Sequence, residues 1–204
     1  GRISEIIVEE DKCIVAVVGE NMRETPGMAG QLFRALGSNG INISAIAQGS
    51  SELNISAVLD CADERKALIA VHDAFFLSGS KSLNLFIVGT GLIGGTLLDQ
   101  IVREKERIAR KLQLELRVVS LGNRSSMLFD LNGIELDGWE EKLNGNAMPM
   151  DLDRFIEQMK ELNLPNSIFV DCTASEEVSS RYLEVLDESI SVVTPNKKAC
   201  FASL

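Results

Sequence analysis

Ser82-Leu83-Asn84-Leu85-Phe86-Ile87-Val88-Gly89-Thr90-Gly91-Leu92-Ile93-Gly94-Gly95 is the stretch that decides the fold. An apolar run, Leu83 to Val88, enters G-x-G-x-x-G and leaves into a helical pattern of Leu97, Leu98, Ile101 and Val102. Strand, glycine turn and helix in that order open a dinucleotide-binding domain, and each glycine has a physical task. Gly89 allows the tight turn, Gly91 lets the backbone approach a pyrophosphate, and Gly94 lets the helix pack on the strand. The free N–H groups of the helix start, at Leu92 and Ile93, face the phosphates with the positive end of the helix dipole. A glycine turn without a ligand is the alternative, and the strand and helix on either side weigh against it.

Downstream, strands and helices alternate. Strands are expected over Leu83–Val88, Leu116–Leu121, Ser167–Cys172 and Ile190–Val193. Helices are expected over Leu92–Ala109, around Gly138–Leu143, and over Leu152–Leu162 and Ser175–Leu186. Strands separated by helices argue for parallel β-α-β units, and their continuous apolarity fits burial on both faces. Trp139, after Asp137-Gly138, reads as packing rather than a ligand platform.

Upstream the order is strand (Lys12–Val18), helix (Pro26–Ser38), strand (Asn42–Ala47), strand (Leu53–Leu59) and helix (Ala62–Phe76). Thr25-Pro26 marks the first helix's start, and Gly37 and Gly40 its end. Ile43, Ala45 and Ala47 point one way and Ser44, Ile46 and Gln48 the other, with Gly49-Ser50-Ser51 as the turn. Arg2–Glu9 offers one more strand. A sheet with helices on one face is the economical solution for β-α-β-β-α. The only linker of small polar residues is Ser78-Gly79-Ser80-Lys81-Ser82, which places the boundary between residues 1–79 and 80–204.

The net charge is −10, and the deficit is even: residues 1–80 carry 6 basic and 11 acidic residues, and residues 81–204 carry 14 and 19. No basic domain is hidden in the average, so nucleic acid is excluded as a partner. No run reaches membrane-spanning length and the first residues have no signal pattern, so a cytosolic protein is expected. Cys13, Cys61, Cys172 and Cys200 lie far apart and read as buried reduced thiols. With one histidine, His72, on a predicted helix, no metal site or histidine triad is expected. The chain begins at Gly1 rather than Met and stops soon after its last strand-like run, and it reads as a piece of something longer.

Three polar clusters fall at predicted strand ends, where an open parallel sheet binds its ligand. Ser120-Leu121-Gly122-Asn123-Arg124-Ser125 has no acid to hold a ribose 2′-hydroxyl, while Arg124, helped by Asn123 and Ser125, can pair with a 2′-phosphate. The expectation is NADP, with NAD as the alternative cofactor and a solvated loop arginine as the bland reading. The other two clusters are Asp171-Cys172-Thr173-Ala174-Ser175 and Thr194-Pro195-Asn196-Lys197-Lys198. Lys197 and Lys198 start a helix, where the dipole disfavours cations, so they point to an anionic ligand or a reacting oxygen, or else to a solvated helix start. Gln48 ends its strand toward the turn around Asn21 to Gly27. A buried amide there needs partners that a small amino acid supplies, and a surface glutamine is the alternative.

Thr25-Pro26-Gly27, Gly40-Ile41-Asn42-Ile43 and Ile43-Ser44-Ala45-Ile46-Ala47-Gln48-Gly49-Ser50-Ser51-Glu52 resemble the second regulatory ACT domain of aspartate kinases. Val170-Asp171-Cys172-Thr173 and Val193-Thr194-Pro195-Asn196-Lys197-Lys198-Ala199 resemble the nucleotide domain of homoserine dehydrogenase. The order is similar to that of the bifunctional aspartokinase/homoserine dehydrogenases. The resemblance implies an α/β chain, a ferredoxin-like α+β ACT domain followed by a Rossmann-type parallel sheet. It also implies reversible reduction of aspartate 4-semialdehyde to homoserine with NAD(P)H, threonine inhibition and a homo-oligomer. By motif it implies Lys197 near the nicotinamide and the reacting oxygen, Thr173, Ser175, Pro195 and Asn196 around the nicotinamide, and Asn42 and Gln48 as effector contacts. A second lysine and the carboxylates for homoserine have no counterparts here. The rival readings are a non-catalytic sensor of nucleotide and amino acid, or another ACT-bearing dehydrogenase, which generally places its ACT domain after the nucleotide domain.

Overall fold

Alternating side chains build the first sheet. In the computed structural model, which describes residues 8–19, 22, 25–48, 54–76, 81–145 and 147–200, strand β1 (Lys12–Val18) buries Val15 and Val17 and leaves Ile14 and Val18 exposed. Helix α1 (Met28–Gly37) follows, then β2 (Ala45–Ala47), β3 (Asn54–Asp60), a 3-10 turn over Cys61–Asp63, and α2 (Glu64–Phe76). The sheet order is β1-β3-β2, antiparallel throughout, with Val15 opposite Ala57 and Ala45 opposite Val58. Ile55, Ala57 and Leu59 join Val15 and Val17 in a core closed by Leu32 and Leu36 of α1 and Ala67 and Val71 of α2. At roughly 1.5–3 kcal/mol for each large apolar side chain fully buried, that face is what holds the helices on the sheet.

Two details differ from the expectation. Helix α1 starts two residues late, because Gly27, not Thr25, occupies its N-cap with φ +90°. A positive φ suits a residue without Cβ, so Pro26 stays in the turn before the helix. Gln48 and all three residues of β2 are exposed, since β2 is an edge strand paired only with β3. The expected strand Arg2–Glu9 lies outside the described residues except for Val8 and Glu9, which are irregular. The turn Gly49-Ser50-Ser51, Glu52, most of the linker, and Asn21, Arg23 and Glu24 also lie outside them.

The chain divides into two units, Gly1–Phe76 and Leu77–Leu204. The second runs β4 (Lys81–Val88), α3 (Leu92–Leu112), β5 (Leu114–Gly122), β6 (Ser126–Phe129), α4 (Trp139–Gly145), β7 (Met148–Pro149) and α5 (Leu152–Leu162). It continues with β8 (Ser167–Asp171), α6 (Glu176–Ser179), α7 (Tyr182–Asp187), β9 (Ser191–Val193) and a 3-10 turn at Lys197–Cys200. The sheet order is β7-β6-β5-β4-β8-β9, in which β5, β4, β8 and β9 are parallel. Phe86 and Val88 face one core with Val119, Phe155 and Phe169, while Leu85 and Ile87 face another with Leu98, Val118 and Val170. Both faces of β4 are therefore covered, the arrangement a doubly wound sheet requires. Trp139 packs against the second of these cores.

Strands β6 and β7 were not expected. They run antiparallel to their neighbours, and β6 returns from β5 through a hairpin at Asn123-Arg124-Ser125. The helix expected over Ser175–Leu186 is two short ones. The hydroxyls of Ser179 and Ser180 donate to the carbonyls of Glu176 and Glu177, at 3.0 and 2.8 Å, which competes with the helical ladder at that point.

Candidate cofactor site

Beyond Val88 the chain turns at Gly89, whose φ is +93° and whose N–H donates to the Gly122 carbonyl at 2.8 Å. A Cβ on Gly89 would lie 2.8 Å from the backbone carbon of Cys172, and one on Gly94 would lie 1.8 Å from the Gly89 carbonyl oxygen. These two glycines therefore let strand, helix and the β8 end close on one another. Gly91 is different, because a Cβ there meets nothing within 4 Å. The space in front of it is open, directly before the N-terminus of a 21-residue helix whose first N–H groups have no intrahelical partner. Leu92 and Ile93, at that helix start, are exposed. The loop thus leaves room where the fold would hold a pyrophosphate.

On the β5 side stands the hairpin. Asn123 Oδ1 accepts from the N–H groups of Ser125 and Ser126 at 2.8 and 2.7 Å and from Ser125 Oγ at 3.1 Å, so Asn123 shapes the turn. Arg124 is left exposed at the tip, with no ion pair among the described residues. On the β8 side, the Thr173 N–H donates to Asp171 Oδ1 at 2.7 Å and the Ser175 N–H to Thr173 Oγ1 at 3.1 Å. The glycine loop, Asn123–Ser125 and Cys172–Ser175 together line one cavity of about 990 Å³.

Pro195, Asn196 and Lys197 do not line that cavity. Asn196 is buried and linked to its wall, donating from Nδ2 to the Ser175 carbonyl at 2.9 Å. Lys197 and Lys198 start a single 3-10 turn. Lys198 Nζ is 3.0 Å from Glu176, whereas Lys197 is exposed with no ion pair among the described residues.

Residues 15–75 match the ACT domain family, and residues 89–203 match the family described as homoserine dehydrogenase, NAD binding domain. The chain belongs to the homoserine dehydrogenase NAD-binding domain family. It is 44% identical over 98% of its length to the chloroplastic bifunctional aspartokinase/homoserine dehydrogenase 2 of Arabidopsis thaliana, covering 22% of that protein. It is 41% identical over 97% of its length to the bifunctional aspartokinase/homoserine dehydrogenase of Haemophilus influenzae, covering 24% of it. A crystal structure of a Candida auris protein of unknown function superposes with a TM-score of 0.50 at 25% identity, over 59% of this chain and 32% of that one. The chain thus spans under a quarter of the length of the two curated relatives.

In this domain the open space at Gly91 lies at the helix start, and both flanking strand ends carry polar loops. Sequence reasoning placed Asp171 in a strand-end cluster without giving it a role, and missed Tyr182. Asp171 is fully buried, and its Oδ2 accepts from Tyr182 OH at 2.5 Å and Asn196 Nδ2 at 3.0 Å. The signal was an aspartate closing an apolar strand, which needs donors to be tolerated.

The thiols differ from the expectation as well. Cys61 is exposed in the 3-10 turn after β3, Cys13 is half-buried near the start of β1, and Cys172 is half-buried just past the end of β8. All three are free, and burial pushes the Cys172 thiol up. His72 is exposed, 3.7 Å from Asp73 and stacked on Phe76. Asn42 and Gln48 are both exposed in the first unit. No helix among the described residues is long and apolar enough to cross a membrane.

Proposed function

We propose that this chain is the regulatory ACT domain and the cofactor-binding domain of a bifunctional aspartokinase/homoserine dehydrogenase. The whole enzyme interconverts aspartate 4-semialdehyde and homoserine with NADP(H), under feedback by threonine, in the cytoplasm. The observation that carries the reading is the one cavity shared by the glycine loop, the Arg124 hairpin and the Thr173–Ser175 loop. Arg124 supports NADP over NAD: it is an exposed guanidinium at the end of the second parallel strand, where no acid stands to repel a 2′-phosphate. Exposed Ile14 and Val18 on the first sheet support a homo-oligomer assembled through its ACT domains.

When bound, NADPH supplies a hydride to the semialdehyde carbonyl. The chain's own residues orient it: Gly89, Gly91 and Gly94 with the Leu92 and Ile93 N–H groups at the pyrophosphate, and Thr173 and Ser175 toward the nicotinamide. Lys197 is the catalytic residue, its ammonium stabilising the oxygen that gains charge as hydride arrives. Pro195 and Asn196 set the turn that carries it. Hydride transfer also needs a positioned carbonyl, so the 204 residues alone are expected to bind cofactor without turnover.

The test is semialdehyde-dependent NADPH oxidation by a polypeptide carrying these residues together with a substrate domain. Lys197→Ala lowers kcat/KM by about two orders of magnitude. Lys198→Ala does much less, because Glu176 already holds that ammonium. Near-normal activity of Lys197→Ala removes the catalytic assignment.

A further inference from the structure

The carboxyl ends of β8 and β9 are joined by a polar cluster in which each group has a defined partner. Asp171 Oδ1 takes the Thr173 N–H at 2.7 Å, and its Oδ2 takes Tyr182 OH at 2.5 Å and Asn196 Nδ2 at 3.0 Å. The second proton on Asn196 Nδ2 goes to the Ser175 carbonyl at 2.9 Å, while Asn196 Oδ1 accepts from the Lys198 N–H at 3.1 Å. Thr194 Oγ1 donates to the Asp171 carbonyl at 2.9 Å, accepts from the Asn196 N–H at 2.8 Å and lies 3.0 Å from the phenol oxygen.

A carboxylate with no exposure is costly unless donors surround it, and here three converge on it. Burial, then the hydrogen bond to Asp171, pushes the Tyr182 phenol up, so it remains a donor at neutral pH. The cluster makes no direct use of the cavity. What it fixes is the cavity's wall, since two of its bonds end on the Thr173–Ser175 backbone and a third on the turn bearing Lys197 and Lys198.

Placement decides which half of a dinucleotide feels this. The sheet order puts β5 on one side of β4 and β8 and β9 on the other. The end of the second strand of such a sheet takes the adenosine ribose, so the nicotinamide half lies toward β8. We propose that Asp171 and Tyr182 are positioning residues for the nicotinamide ring of the cofactor alone, acting through Asn196 and the Thr173–Ser175 loop. The inference rests on the cofactor reading above.

The experiment titrates the 204-residue chain with NADPH, followed by dihydronicotinamide fluorescence, and by calorimetry with 2′-phospho-ADP-ribose, which lacks the nicotinamide. Tyr182→Phe keeps the ring contact with Phe169, centroids 6.4 Å apart, and deletes only the donor. It is expected to weaken NADPH by about fivefold or more, as befits a lost hydrogen bond to a charged group, and to leave 2′-phospho-ADP-ribose within about twofold. Asp171→Asn, if it folds, shows the same split with a larger NADPH loss. Equal losses for the two ligands, or none for either, overturn the inference and leave the cofactor reading standing. Binding of neither ligand by the unmodified chain overturns both.

Discussion

Gly91 and Gly94 stand three residues apart in one motif, yet the structure gives them opposite consequences when each becomes alanine. In Gly94→Ala the new Cβ lies 1.8 Å from a backbone oxygen, where contacts under 3.0 Å essentially never occur, so helix start and turn must part by roughly 1.2 Å. Overpacking costs about 1–3 kcal/mol, and the upper end applies because a backbone atom cannot rotate away. Better helix propensity returns about 1 kcal/mol, leaving a loss of about 2 kcal/mol. At about 2–4 °C per kcal/mol, melting falls by about 4–8 °C. In Gly91→Ala the methyl meets nothing within 4 Å and φ is an ordinary −75°, so stability stays within about 1 kcal/mol. On the proposed cofactor reading the methyl enters the space a pyrophosphate takes, and NADPH affinity should fall at least about tenfold. Trp139 is the only tryptophan and sits in α4, so its fluorescence follows melting of the second unit alone. Thermal melts and NADPH titrations of both variants make the assay. A Gly91→Ala protein that binds NADPH like the unmodified one, or a Gly94→Ala protein that melts with it, refutes the reasoning.

Acid sensitivity should trace to the contact between α5 and α7, where Arg181 first and then Lys160 hold the Glu184 carboxyl down at about 2 from an ordinary 4.5. A depressed carboxylate stabilises the fold above pH 4.5 and stops doing so as pH falls toward 2. Because Glu184 is partly exposed, its share is at most about 1 kcal/mol. Urea unfolding at pH 7 and at about pH 2 should show Glu184→Gln weaker than the parent at the higher pH, with most of that gap closed at the lower; a constant gap defeats the assignment. In the first unit, calorimetry with threonine should give weaker binding for Gln48→Ala than for the parent, and identical isotherms make Gln48 only a strand-end residue.

Where burial and periodicity agree, the elements were readable in advance. β1 and α5 fall on the expected residues because Val15 and Val17 alternate cleanly, and because Asp151 caps a helix closed by Asn163 at φ +40°. β6 escaped because four residues, Ser126–Phe129, are too few to show a period, and its direction depends on pairing with β5. The helix break at Ser180 comes from side-chain hydrogen bonds that compete with the ladder, and an apolar pattern cannot register them. Gly89, Gly91 and the Thr173–Ser175 loop, which line one cavity, lie at the strand ends where the sequence places them. The Asp171–Tyr182 contact was not legible, because it joins residues 11 apart on different elements and Tyr182 belongs to no local motif. Gln48 was read from its strand position together with the ACT resemblance, and its exposure follows from β2 being an edge, a fact of pairing order.

The most direct test of the central claim is calorimetric titration of the chain with NADPH and NADH, on the parent and on Arg124→Ala. The account predicts one dinucleotide per chain and a clear preference for NADPH. Arg124→Ala should lose about 1–3 kcal/mol of NADPH binding, the range for a charged hydrogen-bonded contact, with NADH unchanged. Equal losses for the two cofactors would move Arg124 away from the 2′-phosphate, and no binding of either dinucleotide would contradict the cofactor site itself.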